Sequence, residues 1–443
     1  MGGGKIRSVD GGKMTEPALA PAPETAVDEV VVAARRALHA APPLGAPEYL
    51  AFADAVAEGV GRRWAEVEEA NAQDVEDGRA RGLSGPFLDR IRLEERHLEY
   101  FGALGRSIAQ ELPELVRPDP VVRGLGGLEA RRIPKPLGVV FMIYEAKPTV
   151  TIEGALVAVC SGNATILRGS TEIAATNAAL GDVLDEALAE SDLPAGMVQV
   201  LGDTDRNQFR EFLRRDDAID LVIPRGSPSL VDYCRTATRI PVIVGGEGVN
   251  HLYVHDSADP ELAVRLLLDS KLPEPAGCTA LEMALVDEGA ANAFFAALAQ
   301  HAPLDVRLRV PEELIADLPE ELGRVEPLAD HDDGREYLDL VLAIRVVDGV
   351  EEAIGHIRRH GTAHTEGIVA ADAEAIERFC ARVDAAAVIV NGSLRLHDGP
   401  TMGLGAELAI STGRLHVRGP VTIDALVTHT WRIEGNGAVR FLH

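Results

Sequence analysis

The chain is poor in lysine, in aromatic residues and in any cysteine pattern. Of its 443 residues five are lysine, against thirty-eight arginines, and aromatics make up 4%. Its four cysteines, Cys160, Cys234, Cys278 and Cys380, are scattered, with no CxxC pair and no interleaved histidine. That excludes a disulfide framework and a zinc-type spacing, and fits a reducing cytoplasm. No apolar run approaches the roughly 18 residues of a membrane span, and no secretory-type apolar segment opens the chain. A net charge of −27 without a basic patch argues against a nucleic-acid partner, whose backbone it would repel. Neither GxxxxGK[ST] nor GxGxxG in a strand-to-helix context occurs, so a bound dinucleotide must be held by another geometry.

What is present is an ordinary globular balance, 46% apolar and 26% charged, in a chain long enough for two or three domains. The Gly-rich leader MGGGKIRSVDGGK reads as an expression scar or disordered tail, with Met14 as the natural start, and residues 1–26 as a leader and flexible arm. Helical periodicity runs from Val27 to about Ser107. Near RGLGGLEARRIPKPLGVVFMIYE short strands appear, and VVFMIYE has the continuous apolar character of a strand buried on both faces. Strands at 164–169, 197–202, 218–226, 240–248 and 251–256 then alternate with helices, which predicts a doubly wound α/β unit over 27–256. A second α/β series fills 257–412. The tail, 413–443, returns to the first unit and alternates like an antiparallel pair turning at Gly435–Gly437.

Four loops leave strand ends in the first unit: YEAKPTVT, RGSTE, PRGSPS and GGEGVNH. RGSTE and PRGSPS each join an arginine to Gly and Ser directly before a helix. Arg168, Gly169 and Ser170, with Arg225, Gly226 and Ser227, therefore present a cation, hydroxyls and N–H groups suited to dinucleotide phosphates; the alternative is ordinary helix-start chemistry. Among so many arginines, the retained Lys147 and Lys271 suggest a need for a compact ammonium, or simply snorkelling side chains. In PEPAGCTALEMALV, Cys278 follows a Pro/Gly turn and is open to two readings, nucleophile or small apolar filler.

The stretches PLGVVFMIYEAKP, GNATILRG, LPAGMVQV, IDLVIPRG, IPVIVGGEGVNHLYV, VEEAIGHIRRHGTAHTEGI and GLGAELAIST resemble the γ-glutamyl phosphate reductase family, a branch of the aldehyde dehydrogenase superfamily. The likeness runs from about Val27 to Gly437. It implies an α/β, aldehyde-dehydrogenase-like fold with two doubly wound domains and a small β extension, including a strand near 120–136, used in forming a homodimer or homotetramer. It implies NADPH, with NADH as the alternative cofactor, and places the family's nucleophile at Cys278, whose thiolate takes the acyl group as a thioester. It also sets Gly245 and Gly246 at the cofactor, and Lys271, His364, Asn391 and Ser393, with Arg395, near the substrate. Ile243 stands where hydrolytic relatives carry a water-activating glutamate; without that base a thioester survives to be reduced. Glu247 reads as a solvated loop carboxylate.

Several departures fall on these loops. Thr149 replaces an asparagine that supports the oxyanion, Thr171 a lysine near the cofactor, and Asn250 a cysteine. Glu274 replaces an arginine, so the sequence predicts a repulsion of anionic substrate beside Cys278 and a poor response to glutamyl phosphate. Two alternatives follow. One is a specialised paralogue acting on another acyl phosphate or on an ester delivered by a carrier protein. The other is a non-catalytic partner subunit.

Overall fold

The computed structural model describes residues 25–439 apart from 125–127, 203–204, 302, 304 and 438. The leader expected over residues 1–26 therefore falls almost wholly outside the described residues.

Four parallel strands form the first sheet, in the order Val198–Val200, Ala164–Arg168, Val139–Tyr144, Leu221–Arg225. Val139–Tyr144 is buried at every position, as its unbroken apolar run requires of a central strand covered on both faces. The helix that follows, Thr149–Cys160, is likewise buried along its whole length. Its twelve residues carry one acid, Glu153, whose carboxylate accepts from the Tyr100 hydroxyl at 3.1 Å. The segment expected as a strand at 240–248 joins the sheet edge only through a parallel bridge between Val222 and Val242. Beyond Val244 the paired glycines Gly245 and Gly246 supply no side chains to pack, and the ladder stops.

The second sheet has seven parallel strands, ordered Arg324–Pro327, Arg307–Val310, Val341–Val347, Leu281–Asp287, Asn250–Val254, Thr365–Val369, Ala387–Val390. Two predicted boundaries move. The strand assigned by pattern to the first unit at 251–256 lies here, between Leu281–Asp287 and Thr365–Val369. The return to the first unit begins before 413, because Ala406, Leu408 and Ala409 already pack into the first core. Both errors have one cause: a short apolar run buried on two faces fits either sheet, and the choice rests on distant pairing that local pattern does not encode.

Asn163 ties the return in place, its Nδ2 donating to Leu426 O at 2.9 Å while its Oδ1 accepts from Gly138 N–H at 2.8 Å. Beyond it, Val427–Glu434 runs antiparallel to Glu129–Pro136, with Val122–Arg123 on the far side. The expected partner of the tail strand was the segment after Gly437; the observed partner is 129–136, and residues 438 and 440–443 lie outside the described residues. This ribbon stands exposed, with Trp431 and Ile433 half open to solvent.

Candidate active site

The carboxyl ends of the first sheet face the cysteine loop, which lies at the amino end of Leu281–Asp287 in the second. Two consecutive turns shape that loop: Gly277 N–H donates to Glu274 O at 3.0 Å, and Ala280 N–H to Gly277 O at 2.9 Å. They leave the Cys278 side chain exposed, whereas Cys160 and Cys234 are buried. Although exposed, Cys278 is flanked closely enough that desolvation pushes its thiol upward; Arg225, Lys147 and Arg395 pull it down and Glu407 opposes them. The three cations offset part of that rise without cancelling it, so the thiol stays above its ordinary value while the charges beside it favour the thiolate.

Arg225 thus acts on the charge of the nucleophile. The helix starts expected to cradle phosphate are already occupied by protein carboxylates. Glu145 Oε2 accepts from Ser227 N–H at 2.7 Å and leaves no room for a Cβ at Gly226. Asp74 accepts from the N–H groups of Ala175 and Thr176 at 3.1 and 2.7 Å, at the first turn of helix Ala174–Glu190. Anionic side chains complement the helix dipole there as a phosphate would. Ser170 Oγ accepts from Ala146 N–H at 3.2 Å, binding the RGST and YEAK loops together where Ala146 turns through φ 48°. Arg168 lies over the Phe209 ring at 4.8 Å.

A hollow of about 210 Å³ remains at the ends of Ala164–Arg168 and Val198–Val200, lined by Gly169, Ser170, Asn177, Gly181 and Gly202 among others. A larger one of about 520 Å³, whose lining includes Thr171, Glu172, Glu66, Glu69, Asp77 and Arg81, lies alongside. Gly245 bridges to Ser411, and a Cβ on Gly246 would overlap the Thr412 side chain, so the glycines let this segment lie close against 411–412. Ile243 is buried and Glu247 exposed, as expected of an apolar loop residue and a solvated carboxylate.

On the substrate side the structure redistributes the expected residues. Lys147 is half exposed, 3.7 Å from Glu153, and acts on Cys278. Lys271 is sealed in the core: its Nζ meets Glu282 Oε2 at 2.9 Å, both side chains 1% exposed, and reaches Pro275 O at 3.4 Å. Burial lowers Lys271 and pushes Glu282 up to about 7. Lys271 therefore braces the cysteine loop from beneath and is not open to a ligand in the cleft. His364 is also buried, its Nδ1 paired with Thr365 Oγ1 at 2.8 Å, and desolvation lowers it to about 3, so it stays neutral. Asn391 spends its amide on the N–H and C=O of Ala370, each at 2.9 Å. Ser393 is buried against Ser270 at 3.3 Å.

Of that loop only Arg395 reaches the cysteine segment, donating to Thr279 Oγ1 at 2.6 Å and pairing with the Glu274 carboxylate. The expected bare repulsion at Glu274 is thereby corrected: its charge is matched by an arginine. Thr149, at the first turn of its helix, has a buried hydroxyl with no hydrogen-bond partner among the described residues.

Sequence reading missed Glu407. Burial pushes it up to about 6, its carboxylate accepts from Gly399 N–H at 2.7 Å, and it acts on Cys278. The only sequence signal was an acid between apolar residues in GLGAELAIST.

The aldehyde dehydrogenase family matches residues 19–313. A γ-glutamyl phosphate reductase of Anaeromyxobacter dehalogenans is 41% identical over 387 residues, covering 87% of this chain and 91% of its own. One from Escherichia coli is 38% identical, covering 94% and 100%. The crystal structure of γ-glutamyl phosphate reductase from Thermotoga maritima superposes with a TM-score of 0.87 at 33% identity, covering 94% of this chain and 100% of that one.

Proposed function

The chain belongs to the aldehyde dehydrogenase family and, within it, to the γ-glutamyl phosphate reductases; from that premise we propose that Cys278 is the nucleophile in the NADPH-dependent reduction of L-glutamyl 5-phosphate. It is an oxidoreductase of proline biosynthesis, yielding L-glutamate 5-semialdehyde and phosphate. The observation that carries the reading is the exposed Cys278, on a loop clamped by Arg395 at Thr279 and Glu274.

In this mechanism the cations favour the thiolate, which bonds to the acyl carbon. Charge on the carbonyl oxygen is met by the backbone N–H of Cys278, and the Thr149 hydroxyl, sealed and without a partner among the described residues, joins it when the start of its helix shifts to open that atom. The C–O bond to phosphate breaks as the thioester forms, and Lys147 and Arg225 stabilise the departing dianion. The residues fit a nicotinamide cofactor at its adenosine half, where Gly169, Gly181 and Gly202 line one open hollow and Thr171 lines the hollow alongside it. When bound, that cofactor supplies the hydride that reduces the thioester. Cys278 then leaves as thiolate, and a buried Ile243 in place of a carboxylate keeps water from being activated at the thioester. The exposed ribbon bearing Trp431 and Ile433 supports a homo-oligomer built through this extension.

The reverse reaction tests the reading. Oxidation of glutamate 5-semialdehyde by NADP should require inorganic phosphate and should vanish in Cys278→Ala. Turnover that ignores phosphate would rule out the acyl-phosphate assignment.

A further inference from the structure

Cys278 is held from behind by a fully buried amide. Asn250 opens strand Asn250–Val254. Its Nδ2 donates to two carbonyl oxygens, Cys278 O and Ala280 O, each at 2.8 Å. Its Oδ1 accepts from Thr365 N–H at 3.1 Å. Only one orientation of the amide satisfies all three partners, because the reverse would set an acceptor against two carbonyls.

The two carbonyls bracket Thr279, whose hydroxyl Arg395 holds from the opposite side of the loop. Gly248, two residues before Asn250, lacks a Cβ that would overlap Cys278 O. The lead-in to the strand can therefore press directly on the backbone of the cysteine. In a trans peptide the N–H opposes the C=O, so anchoring Cys278 O sets the plane of the Cys278–Thr279 peptide, which limits ψ of the cysteine and with it where the Cα–Cβ bond that carries the thiol can point.

We propose that Asn250 is a positioning residue for the nucleophile, resting on the reading that Cys278 forms the thioester. Without Asn250 the turns of 274–280 remain, but the Cys278 and Ala280 carbonyls lose their donor and the cysteine backbone gains freedom to rotate. Misplacement of a reacting atom by about 1 Å can cost about a hundredfold in rate. Substrate recognition, carried by groups elsewhere in the cleft, is untouched.

The test compares Asn250→Ala and Asn250→Ser with the wild-type enzyme, counting competent sites by stoichiometric iodoacetamide labelling of Cys278. Per labelled site, kcat should fall about 10- to 100-fold in Asn250→Ala, with KM changed less than about threefold. Asn250→Ser, which keeps one donor, should fall between and carries the test if the alanine variant does not fold. A kcat per labelled site equal to wild type, even with a lowered melting temperature, would reduce Asn250 to a structural role and overturn the proposal. Full activity in Cys278→Ala is a separate outcome, which would overturn the nucleophile assignment itself.

Discussion

Arg395 closes on the Glu274 carboxylate with one nitrogen while the other holds Thr279 Oγ1 at 2.6 Å, clamping the cysteine loop from both sides of Cys278. Glu274 is 62% exposed, so the pair itself contributes at most about 1 kcal/mol. Its consequence is geometric. Glu274→Arg would place a second guanidinium against Arg395 and loosen the clamp, so kcat/KM should fall several-fold. Steady-state kinetics of that single variant check this; a rise would restore the repulsion reading.

The charges around Cys278 have definite signs. Arg225 lowers the thiol and Glu407 raises it. Arg225→Gln should move the midpoint of Cys278 alkylation by iodoacetamide to higher pH, and Glu407→Gln should move it to lower pH. At neutral pH the first variant should react more slowly than wild type and the second faster. Shifts in the opposite order would show that these groups do not face the thiol.

Thr149→Val separates catalysis from stability. Removing a hydroxyl that is buried without a partner eliminates an unsatisfied group, so the melting temperature should hold or rise. If the hydroxyl supports the oxyanion, kcat should drop about a hundredfold or more, the cost of one such donor. An unchanged kcat would assign the support elsewhere.

Cofactor choice follows from the lining of the hollows. Thr171 and Glu172 share theirs with Glu66, Glu69 and Asp77, against Arg81, and Asp182 and Asp185 line the other. A 2′-phosphate there meets carboxylates. NADH should bind within a few-fold of NADPH, and Thr171→Lys should shift the ratio of dissociation constants toward NADPH. A ratio unmoved by that substitution would place the adenosine half elsewhere.

The fold was largely legible because a buried parallel strand such as Val139–Tyr144 announces itself as an unbroken apolar run. Cys278 was legible as a thiol beside a Pro/Gly turn. Partnership was not. That Lys271 would be sealed by Glu282, that Ser227 would be capped by Glu145, and that Glu274 would meet Arg395 each depend on residues eleven, 82 and 121 positions away. A sequence shows that a charge exists; the pairing that decides its effect is made by the fold.

The most direct test is to find the acyl group. Incubating the enzyme with glutamate 5-semialdehyde and NADP in the absence of phosphate should leave a glutamyl thioester on the peptide containing Cys278, identified by mass spectrometry and discharged when phosphate is added. No adduct should form in Cys278→Ala. An adduct on Cys160, Cys234 or Cys380, or turnover in the Cys278→Ala variant, would contradict the account.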